Sequence, residues 1–183
     1  TNMKNQKTSK SKLKCWQIHD VILKNVRALE IENKKSIKFT FTNDEGYYDL
    51  ILSEPDQKDF TRPVVNNIEY PSKVEILMHT LKHIGDCFVP EIFSDNKGFH
   101  FKTFDDLVKY FVRIMKPAKN KPTQIKLIGN DKDEACLPDF TTLNKDVGSY
   151  IRASWLGDLV FFTASESKQI INREIANSKK PVS

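Results

Sequence analysis

His79 and His83 stand four residues apart in a segment with helical periodicity, a spacing that can bring two imidazoles to one metal ion. No acidic residue follows His79 in the HExxH manner, so the ligand set is incomplete and no metal is expected there. The paired carboxylates Asp105 and Asp106 open a second helical segment, where they complement the helix dipole without catalytic duty. No serine sits in a GxSxG turn, and the 6 glycines are scattered instead of forming a phosphate-cradling loop. A binding module without cofactor is expected in place of an enzyme. The remaining chemistry is cationic: in HDVILKNVR, residues 19–27, apolar Val21, Ile22 and Leu23 lead directly to Lys24 and then Arg27. Two such cations at the end of a strand can hold one phosphate by charge-assisted hydrogen bonds.

The composition bounds the partners. Across 183 residues the formal charge is +5, which favours anionic ligands such as phosphopeptides, nucleic acid or acidic protein surfaces. The 24 acidic residues are mixed through the same segments as the basic ones, so no single basic patch is marked out. Lysines do gather between Lys4 and Lys14, as they commonly do in solvated ends. Cys15, Cys87 and Cys136 are widely spaced and form no CxxC pair, which implies neither a disulfide framework nor a zinc motif and points to a reducing compartment. No apolar run approaches membrane-spanning length and no signal-peptide pattern opens the chain, so an intracellular protein without membrane contact is expected.

The elements that must position these residues follow from hydrophobic period. Residues 3–17 read as a polar, weakly amphipathic helix and 20–23 as a short strand. Ile37, Phe39 and Phe41 alternate with Lys38, Thr40 and Thr42, the signature of a half-buried strand. Asn43, Asp44, Glu45 and Gly46 supply a turn into a return strand over 47–52. Val74, Leu77, Met78 and Leu81 mark a helix ending near Gly85, with Ser72 and Glu75 as a reciprocal cap. Thr103 caps a second helix striped by Phe104, Leu107, Val108, Phe111, Ile114 and Met115, which Pro117 stops. After a basic connector over 116–122, strands are expected at 123–128, 141–143, 149–153 and 159–163, and a final helix at 165–177. The fold class is α+β, read as two units of similar element order, each a small antiparallel sheet flanked by helices.

The order helix, strand with a cation, hairpin, loop, helix resembles a Src homology 2 domain. More specifically, the chain resembles the tandem Src homology 2 region of the transcription elongation factor and histone chaperone suppressor of Ty six. The matching text is Asp20-Val21-Ile22-Leu23-Lys24-Asn25, then Glu32-Asn33 leading into the hairpin, and Lys121-Pro122-Thr123 entering the second repeat. The resemblance implies two Src-homology-2-like units packed in tandem. The first covers residues 1–86, a linker with its helix 87–118, and an atypical second repeat 119–183. It further implies a non-enzymatic phosphopeptide-binding module in the nucleus, recruited to the phosphorylated linker of the largest subunit of RNA polymerase II. The parent protein would also contact histones and other elongation factors. Phosphate-binding residues are expected at Lys24 and Arg27 in the first repeat and at Arg173 and Lys168 in the second.

The sequence also departs from that pattern. Lys24 stands where the family has its strand arginine, and Val26 and Arg27 where it has loop serines. The return strand 47–52 carries no histidine. Lysine attracts phosphate as a point charge but lacks the bidentate fork, so the first pocket is weakened, rebuilt around Arg27, or lost. The stretch over 148–154, GSYIRAS, looks like a phosphate-binding strand itself, but using Arg152 that way leaves no closing helix. Arg152 is therefore read as a later strand residue of the second repeat. Two other functions compete: a basic nucleic-acid-binding domain with Tyr47 and Tyr48 available for stacking, and a structural docking platform with degenerate pockets. Strand alternation expects one of those two tyrosines in the core and the other on the surface.

Overall fold

The structure, a computed structural model, describes residues 11–93, 101–138, 151–153 (backbone only) and 162–179. It is mixed α and β. In chain order the elements are β1 (Gln17–Ile31), β2 (Lys34–Thr42), β3 (Tyr47–Ser53), the small hairpin β4 (Val64–Val65) and β5 (Ile68–Glu69), and the helices α1 (Lys73–Phe88), α2 (Pro90–Phe93) and α3 (Phe104–Ile114). These are followed by β6 (Pro122–Gly129), β7 (Ala135–Cys136), β8 (Ile151–Ala153) and α4 (Ala164–Ser178).

The main sheet has the order β3-β2-β1-β6-β7, with β8 also paired to β6, and every pairing is antiparallel. β1 is the hinge of this arrangement. Its first part, Gln17 to Ile22, pairs with β6, and its second, from Ile22 to Ile31, pairs with β2. Strands on either side of the expected boundary between two units thus share one sheet. Glu32 and Asn33 connect β1 to β2 with φ of 50° and 64°, the left-handed pair that suits a two-residue hairpin to strand twist.

Alternation builds the core. Leu23, Phe41 and Tyr48 form one cross-strand row, Val26, Phe39 and Leu50 the next, and Ile37 and Leu52 the third, which ends on the exposed Ala28. Ile37, Phe39 and Phe41 are fully buried, as are Leu81 and Ile84 of α1, Phe111 of α3, and Ile125 and Leu127 of β6, all members of one cluster. Burying each of these large side chains contributes about 1.5–3 kcal/mol. The helices that cover this face start as their caps dictate. Ser72 accepts from the Glu75 amide while Glu75 accepts from the Ser72 amide, and Thr103 accepts from the Asp106 amide.

The sheet curls until its ends meet. The Leu137 amide, just past β7, donates to Tyr48 Oη at 3.2 Å. Residues 11–16 close the seam from β3 toward the β6–β7 turn. The Tyr47 amide donates to the Ser11 carbonyl, the Leu13 amide donates to the Tyr47 carbonyl, and Cys15 Sγ donates to the Asp133 carbonyl at 3.7 Å. This arm corrects the expected N-terminal helix. Residues 11–16 are extended and bent, with Trp16 at φ 59°, because edge pairing with Tyr47 takes up their backbone groups. Residues 3–10 lie outside the described residues.

Other expectations shift at their boundaries. Arg27, expected in a loop, lies inside β1, because pairing continues past a bulge at Lys24. Phe162 and Thr163 are not strand; Thr163 is the N-cap of α4, accepting from the Glu166 amide at 3.2 Å. The strand expected at 141–143 falls outside the described residues, as do 149–150 and 159–161, and of Arg152 only the backbone, paired to Gln124, is described.

α4 packs on the opposite face of β6 from the main core. There Lys126, fully buried, forms a 2.6 Å ion pair with Glu166, which is 2% exposed. Glu166 Oε1 also accepts from the Thr163 amide, while Oε2 is buried without a hydrogen-bond partner. The ring of Phe162 lies 5.9 Å from the Lys126 ammonium, in cation–π range.

Candidate functional site

The face of β1, β2 and β3 turned away from the core carries a row in register. Arg27 pairs with Lys38, and Lys38 with Ile51. Arg27 is exposed, Lys38 half-buried and Ile51 44% exposed. The adjacent row is Asn25, Thr40 and Asp49, in which Thr40 Oγ1 donates to Asp49 Oδ1 at 2.7 Å. Two cations directly opposite one another repel, so an ordinary sheet face avoids this pairing. An anion lying across the strands relieves it.

Lys24 stands beside this row for a backbone reason. Leu23 pairs with Phe41 and Asn25 with Thr40, so Lys24 is the extra residue of a β-bulge, exposed where the strand bends. The connector after α3 is hydrogen-bonded to the same place. The Asn120 amide donates to the Leu23 carbonyl, and the Leu23 amide donates to the Lys121 carbonyl. Lys116 and Lys119 are thereby fixed near the bulge, on the rim of a cleft of about 320 Å³ floored by Leu23, Val26, Val112 and Met115. Among the described residues none of Lys24, Arg27, Lys38, Lys116 or Lys119 forms an ion pair.

The residues expected for a second phosphate site are placed elsewhere. Arg173 on α4 donates to Asp133 at 2.7 Å and lies 5.5 Å over the Trp16 ring. The bond it donates to Asp133 holds its guanidinium above its usual pKa. Arg173, Asp133, Trp16, Lys12 and Lys14 line a groove of about 640 Å³ between the arm, the β6–β7 turn and α4. Its acidic wall and the pairing of its arginine make it a poorer anion site than the bulge. The Nε1 edge of Trp16 meets Gly129, where a Cβ would come within 2.7 Å of Nε1. Lys168 is exposed on α4 and is not among the residues lining this groove.

Tyr48 and Tyr47 point to opposite faces of β3, Tyr48 on the row of Phe41 and Leu23. Burial pushes the Tyr48 phenol up to about 12 even though the Leu137 amide bond favours the phenolate. His79 and His83 stack with ring centroids 6.5 Å apart, and His83 Nε2 is 3.9 Å from Cys87 Sγ. No group of three His, Cys, Asp or Glu side chains among the described residues is placed to hold a metal. No helix among the described residues is long and apolar enough to cross a membrane.

Lys38, Lys116 and Lys119 were not expected at a site. The signal for Lys38 was present, since alternation with Phe39 places it on the outer face. Nothing local in the sequence brings Lys116 and Lys119 to Lys24. Comparison with protein-family models, curated proteins and solved structures finds no match.

Proposed function

We propose that this chain is a non-enzymatic module that binds single-stranded nucleic acid across the outer face of β1, β2 and β3. The observation that carries the reading is the in-register row Arg27, Lys38 and Ile51, cationic and apolar together. Such a row suits a chain of phosphates with bases between them. The connectivity supports it by analogy of fold. A three-strand meander, an intervening helix and a further hairpin joined back to β1 correspond to the five-stranded curled sheet that binds oligonucleotides on its strand 2–3 face. Aromatic side chains are sparse on the row itself, so contacts to phosphate dominate and sequence preference is weak.

A second reading is favoured by Lys24 alone, a cation where an apolar strand emerges. In it the chain is a phosphopeptide-binding module of a transcription elongation factor in the nucleus, and its ligand is the phosphorylated linker of the largest subunit of RNA polymerase II. Two tandem Src-homology-2-like units would each need a sheet, whereas β1 and β6 lie side by side in one.

Titration of labelled oligothymidine, its duplex and a polymerase linker peptide with and without phosphate separates the two. Single strands are expected to bind best. At about −0.7 per phosphate contact, four or five contacts give a log–log salt slope of about −3. Charge reversal of Arg27 and Lys38 together should weaken binding tenfold or more. Phosphate-dependent peptide binding with no affinity for single strands would sink this reading in favour of the second.

A further inference from the structure

The cleft beside the bulge has two chemistries in one place. Its floor is apolar: Leu23 is fully buried, Met115 is 1% exposed, and Val26 and Val112 are half-buried beside them. Its rim is cationic and amide: Lys116, Lys119 and Asn25 line it, and Lys24 is exposed between Leu23 and Asn25. Among the described residues no carboxylate lines it. Two backbone hydrogen bonds, Asn120 to Leu23 and Leu23 to Lys121, fasten the connector to the bulged strand, so the rim lysines are held beside the floor. The volume, about 320 Å³, is at the lower end for small-ligand pockets, about 300–1,000 Å³.

A purely anionic ligand would not use the floor, and a purely apolar one would leave the ammonium groups of the rim without a counter-charge. A nucleotide residue matches both parts. We infer that this cleft, at the edge of β1 where the outer face turns over the bulge, is a subsite for one nucleotide of the bound strand, its base against the half-buried Val26 and Val112 and its phosphate against Lys24, Lys116 and Lys119. Asn25 is the neutral group at the rim that can donate to and accept from a base edge. This inference rests on the nucleic-acid reading and adds to it a defined place for a base. The row of Arg27 and Lys38 by itself asks only for phosphates.

The test compares oligothymidine with a fully abasic deoxyribose-phosphate chain of equal length. The native protein should prefer oligothymidine by about tenfold, the gain expected from burying about 55 Å² of apolar surface. Val112→Phe fills the cleft and should remove most of that preference while leaving affinity for the abasic chain within about twofold. Thermal unfolding establishes that the variant is folded. Lys116→Glu with Lys119→Glu, both at exposed positions, serves as the second variant. It should lower affinity for both chains and reduce the salt slope by about 1.4, two contacts at about 0.7 each. Equal affinity of the native protein for the two chains, or a preference unchanged by Val112→Phe, overturns the subsite while leaving the nucleic-acid reading intact. Failure to bind either chain overturns both.

Discussion

Lys126 and Glu166, forty positions apart, meet at 2.6 Å with both side chains removed from solvent, and their pairing fastens α4 to β6. Taking one partner away leaves a buried charge alone. Lys126→Met should therefore cost about 3–5 kcal/mol, read as a lower urea midpoint. Adding Glu166→Leu to that variant should recover most of the loss. About 1 kcal/mol remains lost, because Glu166 also accepts the Thr163 amide at the start of α4. A double-mutant cycle without coupling energy would refute this account.

Gly46 exists for a close approach. A Cβ there would stand 2.1 Å from the Ser11 carbonyl oxygen, a backbone atom with little room to yield. Gly46→Ala should destabilise the protein by about 1–3 kcal/mol, the range for overpacking. It should also raise hydrogen exchange at the Leu13 and Tyr47 amides, which bond across the seam. Unchanged protection at both would mean that the arm does not depend on this glycine.

Tyr48 makes the fold sensitive to alkali. Its folded value is raised to about 12 from an ordinary value near 10, so its stabilising contribution is complete below pH 10 and is lost as pH rises from 10 to 12. The full shift corresponds to about 2–3 kcal/mol. Tyrosinate absorbance should show a late ionisation step that coincides with unfolding, and Tyr48→Phe should remove that step.

How much of this was legible in the sequence depends on the range of each signal. The period of Ile37, Phe39 and Phe41 revealed the hairpin, and Ser72 with Glu75 and Thr103 marked the helix starts, because these features act over a few residues. The pairing of β1 with β6 had no such mark. Alternation shows which face a residue takes, and is silent on which distant strand will lie beside it. For the same reason the bulge at Lys24 was invisible: two distances, to Phe41 and to Thr40, define it. Arg27, expected in a loop, lies in β1 because the strand continues past the bulge.

Arg173 was also chosen for its charge, but its surroundings alter what it can do. Held by Asp133 and lying over Trp16, it braces the arm against α4. Arg173→Ala should change oligonucleotide affinity by less than about twofold, in keeping with loss of one exposed ion pair, while the emission of Trp16 changes. A tenfold loss of binding with unchanged emission would place Arg173 at the ligand instead.

The division of β1 between two partners sets the order in which the chain can become native. Its outer half finds β2 across a two-residue turn, a closure that microsecond hairpin formation can supply. Its inner half must wait for Thr123 and its neighbours, about a hundred residues later, and contacts that distant slow folding. On a ribosome, the Lys24 bulge would therefore be exposed on a partly paired strand until β6 emerges. The cation pocket would be among the last features of the molecule to take shape.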